Sequence, residues 1–190
     1  MQTLQKLAIS CIITCCCIFS AAAQTLETRL DKMLSDQYKA DGPGAAALIA
    51  KNGKVIYRKA IGKANLELDV NMKPENVFEL GSITKQFTAV AILMLMEQGK
   101  LALDDDITKN IPGYPTKGKT INIHHLLNHT SGIKSYTDME SFMKHARTDM
   151  TPVELIDVFK SEPMDFDPGT DWHYNNSGYI LLGYIIEKVS

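Results

Sequence analysis

Residues 80–99 read LGSITKQFTAVAILMLMEQG. After Lys85 the stretch is helix-forming and mostly apolar as far as Glu97, and Gly99 supplies a C-terminal stop. This predicts a helix built for burial. Yet a serine opens it at position 82 and a lysine follows one turn later at position 85. An ammonium buried without a partner costs several kcal/mol, so Lys85 needs an explanation. Either Ser82 caps the helix and Lys85 reaches out to solvent, or the two are a nucleophile and its base.

The position suits chemistry. At a helix start the first N–H groups lack partners, and the macrodipole presents about +0.5 charge. That field favours a developing oxyanion and disfavours a lysine cation. Residues i and i+3 share a helix face, which brings Lys85 within reach of the Ser82 hydroxyl. With an ordinary pKa near 10.4, only roughly one lysine in 2,500 is neutral at pH 7. A useful base must be brought down to about 7, more than a helix field alone achieves. A second partner is therefore expected. The pattern Ser-x-x-Lys also occurs as SGIK at Ser131 and SFMK at Ser141, so the spacing alone decides nothing. Ser131 sits at a turn beside Gly132, and Ser141 lies in a polar, methionine-containing segment. Only Ser82 opens an apolar helix behind a glycine.

The chain has 190 residues, the size of one domain, and a formal charge of −2, which points to no nucleic-acid or polyanion partner. Its first residues are MQTLQK, with one positive charge at Lys6, followed by a fourteen-residue apolar run LAISCIITCCCIFS and Ala21-Ala22-Ala23. This reads as a signal peptide over residues 1–23, too short to span a bilayer, with a mature chain from Gln24. All four cysteines (Cys11, Cys15, Cys16, Cys17) fall inside it, which leaves 4 − 4 = 0 in the mature chain. A disulfide scaffold, a thiol nucleophile and a cysteine metal site are thereby excluded. Ile13-Thr14 before Cys15 match a lipoprotein signal poorly. A secreted or periplasmic location follows, with no transmembrane helix after cleavage.

Leu26, Leu30, Met33, Leu34 and Tyr38 recur at helical spacing and end near Asp41-Gly42-Pro43-Gly44. In GAAALIAKNGKVIYRKAIG two apolar runs flank Asn52-Gly53, which predicts an antiparallel hairpin. LALDDDITKNIPGYP is a turn-rich connection. Asn122 is a candidate cap for a short helix, and Thr151-Pro152-Val153-Glu154 combines a capping box with proline at the first helical position. SEPMDFDPGTDWHYNNSG is expected as a loop, and GYILLGYIIEKVS as an apolar helix. A two-stranded hairpin is marginal by itself and no later segment reads as a strand, so the sheet looks unfinished.

The pieces FELGSITKQFTA, GKLALDDDITKNIPGY, INIHHLLNHTSGI and FDPGTDWHYNNSGYILLGYIIE occur in this order. In them the chain resembles the serine beta-lactamase and penicillin-binding-protein superfamily, on the branch of class C beta-lactamases, D-alanyl-D-alanine carboxypeptidases and related esterases. The resemblance implies an α/β fold, an antiparallel sheet flanked by helices plus a helical region, of which residues 24–190 form the N-terminal portion. It implies Ser82 as the acylated nucleophile, Lys85 as its proton-transfer partner, and Tyr174 as the second partner. Asn176 would hold the substrate's amide carbonyl. A phenolate and an ammonium side by side stabilise each other, so either Lys85 or Tyr174 is the base. In the family's Tyr-x-Asn motif, here Tyr174 to Asn176, the middle residue Asn175 departs from the usual serine or alanine. The family's third motif, Lys/His-Thr/Ser-Gly on a late strand, is missing; HTSG at His129 and KGKT at Lys117 have the wrong order. It would lie after Ser190.

Other candidates weigh less. His125 and His129 are i, i+4, but no acidic residue stands between them and no third ligand is evident, so no metal site is expected. Asp104, Asp105 and Asp106 lack the glycine and glutamate of a calcium loop and read as turn residues. Phe166, Trp172 and Tyr179 read most simply as core around the loop, with a place bordering the site as the alternative for Trp172. The expectation is a serine hydrolase acting through an acyl-enzyme on a small-molecule or peptide substrate (a beta-lactam, a D-alanyl peptide or an ester) without cofactor. The alternative is a non-catalytic homologue that binds peptidoglycan or beta-lactam-like ligands, or an inactive fragment.

Overall fold

Asn52 and Gly53 both adopt left-handed backbone, with φ of 51° and 73°. That conformation at two successive residues makes the tight turn whose twist matches its flanking strands. The computed structural model describes residues 25–190; the leader expected over residues 1–23, with its cysteines, lies outside the described residues. The turn joins β1 (Ala45–Lys51) to β2 (Lys54–Ile61), antiparallel with a bulge between Ile49 and Ala50. The chain divides after Glu79 into two compact units.

The first unit holds this hairpin, α1 (Leu26–Gln37) and a short ladder of β3 (Lys63–Asn65) with β4 (Val70–Asn71). No sequence pattern announces the second ladder, because three and two residues are too few to show alternation. Thr25 caps α1. Tyr57 is buried and donates its hydroxyl to Asp31 at 2.9 Å, and Lys59 Nζ reaches Asp31 and Glu27 at 2.8 Å, so β2 is tied to α1. Leu48, Val55 and Ile56 on this hairpin stay exposed.

The second unit carries Ser82, Lys85, Tyr174 and Asn176. A 3₁₀ turn (Gly81–Ile83) leads into α2 (Thr84–Glu97). Gly99, at φ 67°, donates to the Met96 carbonyl at 2.9 Å, and Lys100 N–H reaches that of Leu95 at 3.0 Å. This pair of bonds is the glycine stop expected there. Asn122 caps α3 (Ile123–Leu127), and Thr151 with Glu154 forms the capping box of α5 (Pro152–Phe159). A one-turn α4 (Phe142–His145) follows Ser141. The last helix, α6 (Asn176–Val189), packs on α2, α3 and α5. Ile92 and Leu95 of α2, Leu126 of α3, Phe159 of α5, and Leu181, Leu182 and Ile185 of α6 form a core with Ile107 and Ile121 from the connection.

Two expectations need correction. Only Ile92 and Leu95 of α2 are buried, while Phe87, Val90, Leu93 and Met94 are 41–60 % exposed. One face packs on the core and the opposite apolar face does not, which a uniformly apolar sequence cannot distinguish. Trp172 is 61 % exposed, which rules out its core reading and leaves the alternative, a place bordering the site.

Candidate active site

Ser82 lies in the 3₁₀ turn, not in the α-helix proper, and makes no capping bond. Its Oγ has two neighbours. The Tyr174 hydroxyl donates to it at 2.7 Å and Lys85 Nζ lies 3.4 Å away. Lys85 is half-buried, and its ammonium turns from solvent to the Asn176 side-chain oxygen at 2.6 Å. It also lies 4.8 Å from the centre of the Tyr174 ring and 5.3 Å from that of Tyr179. The Lys85 ammonium, and after it the bond to Ser82, hold the Tyr174 phenol below its ordinary pKa; burial opposes them. The four residues Ser82, Lys85, Tyr174 and Asn176 thus stand together, drawn from two segments about ninety positions apart. A cleft of about 340 Å³ opens beside Ser82, Lys85, Tyr136, Asn176 and Tyr179. A larger one of about 510 Å³ lies beside α1 and β2 in the first unit and is lined by none of these residues.

Asn176 is the first residue of α6 rather than part of the loop before it. Its amide Nδ2 donates to Thr137 Oγ1 at 2.9 Å, and its backbone N–H donates to Ser135 Oγ at 3.2 Å. Tyr136 N–H in turn donates to Ser177 Oγ at 2.8 Å. Three bonds therefore stitch residues 135–137 to the head of α6. Asn176 spends its oxygen on Lys85 and one amide hydrogen on Thr137, which leaves one hydrogen for a ligand. Thr137 and Ser135 carry no motif that would have revealed them. Asn175 is buried; its side-chain oxygen caps α6 through Gly178 N–H at 2.8 Å, and its amide donates to the Ile133 carbonyl. The departure at this position therefore points inward and serves the helix.

The competing serines are placed differently. Ser131 is buried with its Oγ accepting from Ile133 N–H, and Lys134, three residues on, pairs with Asp165 at 2.9 Å. Both histidines weighed as ligands have other bonds: His125 Nδ1 accepts from Asn122 N–H and His129 Nδ1 from Asn175 N–H. Asp106 caps the 3₁₀ turn Ile107–Lys109, and Asp105 accepts from Ala102 N–H and Lys109.

The loop that delivers Tyr174 is laced to residues 129–133. Asp165 N–H donates to the Gly132 carbonyl, Gly169 N–H to that of Thr130, and His173 N–H to that of His129. Gly132 has φ of 71°, and a Cβ there would stand 1.9 Å from the Phe166 carbonyl oxygen. Gly132→Ala combines a left-handed alanine with a backbone clash, and is expected to cost about 3 kcal/mol or more. Urea unfolding of the wild-type and variant proteins measures it; a loss under about 1 kcal/mol would mean that the loop can shift freely.

A family model described as Beta-lactamase matches residues 23–190. Penicillin-binding protein 4* of Bacillus subtilis (strain 168) is 35% identical over 165 residues, which are 85% of this chain and 35% of that protein. The octameric penicillin-binding protein homologue from Pyrococcus abyssi superposes with a TM-score of 0.69 at 37% identity, over 85% of this chain and 38% of that one. A D-stereospecific amidohydrolase from Streptomyces sp. gives a TM-score of 0.67 at 34% identity, over 78% and 45%. The chain spans about a third of the length of the first of these relatives and under half of the two structures. The fold is the mixed α/β arrangement of these neighbours, an antiparallel hairpin together with a helical unit. With the family model matched from residue 23 to the last, and both solved neighbours sharing a third or more of its aligned residues, this chain belongs to the Beta-lactamase family.

Proposed function

We propose that the protein is a secreted serine hydrolase that works through an acyl-enzyme on Ser82, with a beta-lactam, a D-alanyl peptide or an ester as substrate. The observation that carries this is the Ser82 oxygen held between Tyr174 at 2.7 Å and Lys85 at 3.4 Å at the head of a helix. Once the lowered phenol gives up its proton, the short bond reverses and Ser82 O–H donates to the phenolate. Tyr174 takes that proton as Oγ attacks the substrate carbonyl. The oxyanion forms beside Ser82 at the head of the 3₁₀ turn and α2, where the helix field favours it. On collapse, Tyr174 returns the proton to the departing amine or alcohol, and water later releases the acyl group from Ser82 by the same exchange. Lys85 keeps the phenolate charge stabilised, and Asn176 holds Lys85 in place.

The substrate class rests on the relatives, whose names speak of penicillin binding and of D-stereospecific amide hydrolysis. Secretion rests on the N-terminal leader pattern; among the described residues no helix is long and apolar enough to cross a membrane. The test is incubation of the full-length protein with nitrocefin, a D-alanyl-D-alanine peptide and a p-nitrophenyl ester. At least one is expected to turn over with an initial burst, leaving an acyl adduct that peptide mass spectrometry places on Ser82. Tight binding of all three without turnover or adduct would establish the non-catalytic alternative.

A further inference from the structure

His129 takes no part in the chemistry above, yet the residues on both sides of Tyr174 are bonded to it. His173 N–H donates to the His129 carbonyl at 3.1 Å, and Asn175 N–H donates to its ring Nδ1 at 3.1 Å. The ring also packs against the phenol itself, 4.7 Å from the Tyr174 ring and 5.3 Å from the Tyr179 ring between centroids. Its backbone stands at φ 64°, a region that non-glycine residues seldom occupy. An Nδ1 that accepts a hydrogen bond carries no proton, so the ring is neutral with its hydrogen on Nε2.

We propose that His129 is a positioning residue for Tyr174: its backbone carbonyl and its neutral ring hold the two peptide units flanking the phenol, one each, and keep the hydroxyl on Ser82, and protonation of the ring opens the ring's half of this clamp. Protonation would turn Nδ1 into a donor facing the Asn175 donor and add a second cation near Lys85. The titratable groups that face the ring are Lys85 from α2, Tyr174 from the loop and Tyr179 from α6. Burial, and after it the Lys85 charge, keep the imidazole below the ordinary histidine range, so opening is an acid-side event. The neighbouring histidines face elsewhere: His125 accepts from Asn122, and the His173 ring lies 3.5 Å from the carboxylates of Asp138 and Asp165.

The inference rests on the proposed roles of Ser82 and Tyr174, so one arm of its test is independent of chemistry. Trp172, the sole tryptophan of this sequence, lies edge-on to the His129 ring at 6.1 Å. In full-length Ser82→Ala protein, the part of the emission that Trp172→Phe removes is expected to change in a transition centred below about pH 6.5. The transition should persist in His173→Asn and vanish in His129→Asn. Asparagine tolerates the left-handed backbone, and its Oδ1 stands as far along the side chain as Nδ1 but does not titrate.

The second arm is kinetic, with Ser82 intact. His129→Asn should keep kcat at pH 8 and lose the steep fall below about pH 6.5. His129→Gly takes the backbone without strain and keeps the carbonyl bond to His173 but has no side-chain acceptor for Asn175 N–H, and should lose about 10–100-fold in kcat with KM little changed. A fluorescence transition that survives in His129→Asn, or a His129→Gly protein with wild-type kcat, overturns the proposal. If emission follows His129 while Tyr174→Phe leaves the rate unchanged, the catalytic role of Tyr174 falls and the clamp stands.

Discussion

Ser82→Ala in the full-length protein is expected to abolish covalent labelling by a fluorophosphonate or a fluorescent penicillin and to lower kcat by about 10⁵–10⁶. Removing the nucleophile of an acyl-transfer unit leaves only the oxyanion site and binding, and these alone account for a small part of the acceleration. The loss should be confined to chemistry. Ser82 is exposed and caps nothing, so the variant should unfold at the same denaturant concentration as the wild type. Labelling that persists in Ser82→Ala would overturn the assignment and turn attention to Ser131 and Ser141. Of these, Ser131 is buried and its lysine is engaged with Asp165.

Tyr174→Phe and Lys85→Met should each lower acylation by about 10²–10⁴, the usual range for a positioned acid–base group. The double variant should lose far less than the product of the two factors, because in the proposed mechanism the phenol and the ammonium, both beside Ser82 Oγ, act as one unit. The pH profile separates their parts. Lys85 is the first cause of the lowered phenol, so the wild-type rate should gain its base form below the ordinary tyrosine value of about 10. Lys85→Met removes that cause, the phenol returns upward, and the alkaline-rising limb of kcat/KM moves to higher pH. Stopped-flow acylation across pH measures both effects. Strictly multiplicative losses, or a limb that stays in place in Lys85→Met, would mean that the two side chains work apart.

What the sequence determined by itself is local. The Asn52-Gly53 hairpin, the Gly99 stop, and the caps at Asn122 and Thr151 all form between residues within a few positions of one another. Their bonds need no distant partner, so residue type and spacing suffice. The resemblance carried jointly by FELGSITKQFTA, GKLALDDDITKNIPGY, INIHHLLNHTSGI and FDPGTDWHYNNSGYILLGYIIE singles out Ser82, Lys85, Tyr174 and Asn176 without any knowledge of their contacts. Tertiary structure alone decided what these residues touch. Ser82 meets Tyr174 across 92 positions and Lys85 meets Asn176 across 91, because α6 packs along α2. The same packing chose which apolar face of α2 is buried and which is left exposed, and no periodicity in an evenly apolar helix encodes that choice. His129 reaches Asn175 across 46 positions, and Gly132 lies against Phe166, only because the loop folds back over residues 129–133. Each of these contacts depends on where a whole element comes to rest against the core. That is a sum over many weak apolar contacts, and no short stretch of sequence contains it.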